Sequence, residues 1–296
     1  MGSGRLLIPL MRALIPALLL LAACGSGDAY ILEGTVVSKP DAEDIVVDHE
    51  AIEGFMPAMT MPFSVKDPAQ IADVNPGDKI YARLIVDQDH SWLAKVRVVG
   101  HGPVPAAATP APATGQAAPL QPGERLATVQ VPLQTGDTWT LGAGQGRATV
   151  LSFIYTRCPL PDFCPATVAR MQALQGALLK DGVAKDGPRI LLITMDPDYD
   201  TAEVLSAYAK KNGADPKVWA FGRVDADALE KLAARAGLPI IRKNGGVLHA
   251  LRTLVLAPDG TLIERYDDDK WPLDRVLSQL RTGGPAPSTS AVVTQP

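Results

Sequence analysis

The chain has 296 residues, enough for two domains that each bury a core of their own, and only three cysteines. Its formal net charge is −4 and it carries no basic run, which excludes nucleic acid as a partner on electrostatic grounds. At the N-terminus, Arg5 and Arg12 precede an uncharged apolar run over residues 13–23 that ends in Leu21-Ala22-Ala23-Cys24. The run is shorter than the ~20 apolar residues of a spanning helix, and small residues before a cysteine form the pattern of a bacterial lipoprotein signal. Residues 1–24 therefore read as a signal peptide and Cys24 as the lipidated first residue of the mature protein. This predicts a lipoprotein held by its lipid anchor on the periplasmic side of a bacterial membrane. In that oxidising compartment the other two thiols serve either as a structural disulfide or as a redox or metal device.

Short β-branched runs follow at 31–37, 44–48, 60–65, 79–86 and 92–99, separated by turn residues such as Asn75-Pro76-Gly77-Asp78. They predict an all-β, OB-like five-stranded barrel over residues 30–100. Within it, Met56, Met59 and Met61, three of the seven methionines, fall downstream of His49. Thioethers carry no proton and little charge, so they select monovalent copper or silver over zinc and magnesium. In a strand Met59 and Met61 share one face and Thr60 points to the other. Two sulfurs and an imidazole suffice for a three-coordinate monovalent ion. The competing reading is that the methionines fill gaps in a small apolar core. The words Gly34-Thr35-Val36-Val37, His49-Glu50-Ala51-Ile52 and Met56-Pro57-Ala58-Met59-Thr60-Met61-Pro62-Phe63, with Pro76-Gly77-Asp78, resemble the CusF-like copper-binding family of small periplasmic chaperones. The resemblance implies that His49, Met59 and Met61 bind Cu(I). The family's best-known members have a tryptophan where this chain has Met56, which is then either a fourth sulfur ligand or a lid.

Residues 101–123 read as a linker of Pro, Ala, Thr, Gly and Gln, with six prolines from Pro103 onward, unable to bury anything. Two domains tethered rather than fused are expected. Over residues 124–282 the periods alternate: apolar strands at 148–155, 190–194 and 253–257 are interleaved with helical patterns at 166–179, 202–211 and 226–236, which predicts an α/β sheet. Residues 283–296 read as a disordered tail.

The second candidate site follows the strand ending at Tyr155. Thr156-Arg157-Cys158 is separated from Cys164-Pro165 by a segment whose Pro159 and Pro161 forbid a helix and force a loop. Pro165 suits the first turn of a helix, which puts Cys164 at its N-terminus. The helix end and Arg157 are expected to lower thiol pKa values, and a thiolate both binds metal and attacks disulfides. Asp200 with Glu203 reads as a capping box. His90 and His101 read as solvated, and Asp267-Asp268-Asp269 as an exposed charged turn.

Thr156-Arg157-Cys158-Pro159, Asp162-Phe163-Cys164-Pro165, Asp196-Pro197 with Asp200-Thr201, and His249 ahead of Pro258-Asp259-Gly260 resemble the SCO/SenC family, thioredoxin-like proteins of copper delivery to cytochrome c oxidase. The resemblance implies that Cys158, Cys164 and His249 bind copper as Cu(I) or Cu(II). It departs in the cysteine spacing, five residues here against the usual three, as if Leu160-Pro161 were inserted. Together the two resemblances imply a metallochaperone rather than an enzyme, which passes copper to a client such as the copper subunit of cytochrome c oxidase. A thiol–disulfide oxidoreductase, with Cys158 and Cys164 as redox pair, is the alternative from another class, and a copper buffering or resistance protein is the third. Against the oxidoreductase, Arg252 stands before the strand at 253–257, where redox enzymes of this fold carry a cis-proline.

Overall fold

A computed structural model describes residues 27–105, 118–142, 146–181, 189–238, 240–243 and 246–285. Cys24, the signal sequence and most of the tail lie outside the described residues. Among the described residues no helix is long and apolar enough to cross a membrane.

The first unit is a sheet of β1 (Asp28–Ser38), β2 (Asp44–His49), β3 (Met59–Ser64), β4 (Asp78–Val86) and β5 (Ser91–His101). The strands are antiparallel in the order β3-β2-β1-β4-β5. Alternation decides which face is buried: in β3, Met59, Met61 and Phe63 point inward while Thr60 donates outward to Asp48 at 2.7 Å. The curled sheet brings its edges together through one parallel bridge between Val65 and Leu93, so the expected barrel is closed at a point and not by a continuous ladder.

In the second unit, β8 (Thr149–Ile154), β9 (Ile190–Thr194) and β10 (Trp219–Gly222) run parallel, and β13 (Thr253–Leu256) and β14 (Leu262–Tyr266) are antiparallel, in the order β10-β9-β8-β13-β14. Hairpins β6–β7 (Val129–Pro132, Thr138–Leu141) and β11–β12 (Ile240–Lys243, Gly246–His249) flank this sheet. Because successive side chains leave a strand on opposite faces, Val150 and Ile154 pack with α1 (Cys164–Lys180), α2 (Ala202–Lys211) and α4 (Leu273–Thr282). Leu151 and Phe153 pack on the other side with α3 (Ala226–Ala236) and the β6–β7 hairpin. This is a thioredoxin-like α/β layering.

Three expectations need correction. Leu120, inside the stretch read as linker, is fully buried in the α/β core, and its amide donates to Arg235 O at 2.8 Å. Residues 118–123 therefore belong to the second unit's packing. Asp200 is not a helix cap: the cap of α2 is Thr201, whose hydroxyl accepts from the Val204 amide, while Asp200 is buried beneath the cysteine loop. And the two units touch. Leu160, from the loop between the cysteines, is buried in the apolar cluster of the first unit.

Candidate metal centres

In the first unit β2 and β3 set the geometry. His49 is the cross-strand partner of Met59, and Val47 that of Met61, so both sulfurs emerge on the face that carries the imidazole. His49, Met56, Met59 and Met61 are all at most 6% exposed, and the three methionines belong to one apolar cluster. Met56 reaches it from a tight turn in which its amide and that of Phe55 both donate to Ile52 O. Gly34 faces His49 across β1, and a Cβ there would lie 2.7 Å from His49 Cα and 2.6 Å from Asp48 O. A glycine is what lets the strands close over the histidine. His49 Nδ1 lies 2.6 Å from Glu50 O, and a carbonyl can only accept. In the neutral ring Nδ1 therefore carries the proton, which leaves Nε2 with the lone pair for a metal. The donor set, one neutral imidazole with two or three thioethers in an apolar shell, fits a soft monovalent cation.

In the second unit the buried strand β8 delivers Tyr155 and the loop behind it to the N-terminus of α1. Cys158 is half-buried and Cys164 fully buried; both are thiols. The five-residue spacing still brings the sulfurs within hydrogen-bonding reach, and the Cys158 pKa falls to about 7. The main cause is a bond donated by the Cys164 thiol, followed by the Cys164 and Leu160 backbone and the Tyr155 hydroxyl, all outweighing burial. Burial pushes the Cys164 thiol up, and the Cys158 negative charge adds to it. The pair is thus split: Cys158 is the sulfur that ionises more readily, and Cys164 keeps its proton and donates to it. The expected lowering holds for Cys158 alone: Cys164, although at the helix start, is raised because burial outweighs the helix end, and the Arg157 guanidinium is engaged elsewhere, bonding Asp196 at 2.6 Å and stacking 3.7 Å over the Tyr199 ring.

Asp200 was missed as a site residue. It is 0% exposed, and its carboxylate accepts from the Thr156 amide at 3.1 Å, the Thr156 hydroxyl at 2.5 Å and the Thr194 hydroxyl at 2.5 Å. It clamps the start of the cysteine loop to the end of β9. A signal was available in its position two residues before the first apolar helical residue, but local spacing equally suits a cap.

His249 ends β12 opposite Ile240, and the β12 backbone runs against β3 of the first unit. Its side chain lies outside the described residues. Among the described residues no three His, Cys, Asp or Glu side chains cluster around one point, so the second centre rests there on the two sulfurs. His90 is exposed, as expected; His101 bonds Asp78 through Nδ1 at 2.6 Å. Asp267 pairs with Arg252 and Arg265. No cis peptide bond precedes β13.

A model of the copper binding periplasmic protein CusF matches residues 29–98, and the SCO1/SenC model matches residues 129–282. No curated protein matches the chain. Among solved structures, a SCO1/SenC family lipoprotein from Bacillus anthracis is 22% identical, with a TM-score of 0.48, over 56% of this chain and 98% of that one. Bradyrhizobium japonicum ScoI with copper bound is 18% identical (TM-score 0.42) over 53% and 97%. Yeast Sco1 with copper bound is 18% identical (TM-score 0.42) over 55% and 90%. With more than half its length matched by one family model, and the cysteine loop on the strand-to-helix turn that model covers, this chain belongs to the SCO1/SenC family and carries a CusF copper-binding domain ahead of it.

Proposed function

We propose that the protein is an extracytoplasmic copper metallochaperone, anchored through Cys24, that takes up Cu(I) at His49, Met59 and Met61 and holds copper at Cys158, Cys164 and His249 for a client. The client is the copper subunit of cytochrome c oxidase, on the SCO/SenC resemblance. One observation carries the reading: His49 faces Met59 across β2 and β3 with Met61 two residues on, all buried on one side. Met56 is buried in the same apolar cluster and is the candidate for a further sulfur. The binding chemistry follows from the donors. Thioethers do not titrate, so acid weakens the first site only by protonating the imidazole. Thiolates bind monovalent copper more tightly than thioethers, which sets a downhill direction from the first site to the second.

The test is Cu(I) competition with a colorimetric chelator. Replacing Met59 and Met61 together by leucine conserves volume and removes both sulfurs. The first site's affinity is expected to fall by more than ~100-fold, since even outer-shell changes at metal sites cost 10–100-fold. Undiminished affinity in that variant would show that the methionines are core filling.

The lowered pKa of Cys158 beside a buried partner thiol also favours a second reading, a thiol–disulfide oxidoreductase acting on the client's own cysteines. His249→Ala separates the two readings. It weakens copper binding at the second site and leaves dithiol exchange intact if the site is a metal centre; copper affinity unchanged alongside rapid disulfide reduction would favour the oxidoreductase.

A further inference from the structure

The loop between the cysteines has more residues than thiol chemistry asks for, and its surplus is where the two units meet. Leu160 is 4% exposed and sits in the apolar cluster that holds Met56, Met59 and Met61. Phe163, three residues on, packs against the same cluster. Between them Asp162 Oδ2 accepts from the Ser91 amide at 2.5 Å and the Ser91 hydroxyl at 2.6 Å, at the first residue of β5. The loop is keyed at its own base as well: Phe163 N–H donates to Leu160 O, and Ala166 N–H, in the first turn of α1, donates to Pro161 O at 3.0 Å. Pro159 and Pro161 restrict the unfolded loop and lower the entropy lost on ordering it. An apolar anchor beside a charge-assisted hydrogen-bond pair is the composition of a docking element, and its partner is the barrel of the same chain.

We propose that residues 159–163 are an interdomain clasp that seats the second copper centre on the first, so that Cu(I) passes from the methionine site to Cys158 without release to solvent. This rests on the function proposed above. In the transfer Cu(I) leaves the thioethers and the imidazole and binds the Cys158 and Cys164 sulfurs. The thiol proton of Cys164 goes to solvent, and no electron moves. The backbone of β12, which ends at His249, lies along β3 beside the same junction, so the elements bearing both ligand sets converge there. Seating raises the effective concentration of one site at the other above what a tether alone supplies.

The test uses the full reduced chain in detergent. Cu(I) is mixed in below stoichiometry, and the ultraviolet copper–thiolate band is followed at several protein concentrations. Ser91→Asp sets a carboxylate against Asp162 from the barrel side and leaves the cysteine loop untouched. It is expected to slow the first-order transfer phase by about tenfold, the worth of one lost charge-assisted hydrogen bond, with both copper affinities unchanged. Combining Ser91→Asp with Asp162→Ser exchanges donor and acceptor and is expected to restore part of the rate. A metal-free measurement keeps the clasp separate from copper: X-ray scattering of the apo chain is expected to report a larger radius of gyration for Ser91→Asp than for the unaltered chain. An unchanged radius together with an unchanged rate would overturn the clasp. So would a rate in the unaltered chain that rises linearly with protein concentration. Failure of either site to take up copper, with the radius still responding to Ser91→Asp, would overturn the function and leave the clasp as a structural contact.

Discussion

Two thiols that both precede a proline, Cys158 and Cys164, end up chemically unlike because one collects hydrogen-bond donors and the other lies inside the core. Cys158 collects hydrogen bonds that stabilise its charge and has a pKa of about 7, whereas burial holds Cys164 protonated. Alkylation by iodoacetamide is therefore expected to modify Cys158 first, with a rate that rises through pH ~7 rather than the ordinary ~8.5 of a free thiol. Tyr155→Phe removes one of those donors and is expected to move the midpoint upward. The same shift has a stability consequence with a definite sign. A depressed acid pKa means the fold favours the thiolate, so the contribution is present above the unfolded thiol's range and is lost as pH falls through about 7. Mass spectrometry of labelled peptides across pH checks the first point; equal labelling of both cysteines would contradict it. At the other centre Gly34→Ala forces a Cβ into the strand that carries His49. Weaker Cu(I) binding and a lower melting temperature are expected together, although residue 34 offers no ligand.

At the scale of elements, the cysteine loop depends on a carboxylate that contributes no ligand. Asp200 satisfies three donors from β9 and the loop, and removing it leaves them buried without their acceptor. Asp200→Ala is expected to cost about 3 kcal/mol in a denaturant melt and to weaken copper at the second site while sparing the first. A change below about 0.5 kcal/mol would mean that water replaces the carboxylate without loss. This residue also marks where sequence reasoning stopped. Long periodic segments were legible: the strand at 190–194 and the helices at 202–211 and 226–236 lie where their periods placed them, because a repeated face must be buried. The four-residue strand β10 was not. In β10, Trp219, Ala220, Phe221 and Gly222 are all buried, so no alternation remains to be read. Asp200 was misassigned for a related reason, since a carboxylate before a helix caps it in local terms and only the approach of Thr156 from the loop after β8, far off in sequence, shows its task. The shared face of Met59 and Met61 was legible because it is local: it follows from the pleat alone.

On the scale of the whole molecule, composition suggested two bodies on a loose tether, and the structure joins them. Leu120 draws the end of the presumed linker into the α/β core, and Leu160 draws the cysteine loop into the barrel. Neither contact could be read from composition, because a single leucine in a proline-rich stretch has no period and burial by a distant partner leaves no local trace. Their effect is to put the two candidate copper centres, some hundred residues apart in the chain, on opposite sides of one junction. The central claim is that these are two separate centres of different donor chemistry. Copper stoichiometry on the reduced full chain tests it most directly, by metal analysis after desalting, with the Met59→Leu and Met61→Leu pair and the Cys158→Ser and Cys164→Ser pair alongside. Two Cu(I) per chain are expected, falling to one in either paired variant. A stoichiometry of one in the unaltered chain, or two retained in either variant, would contradict it.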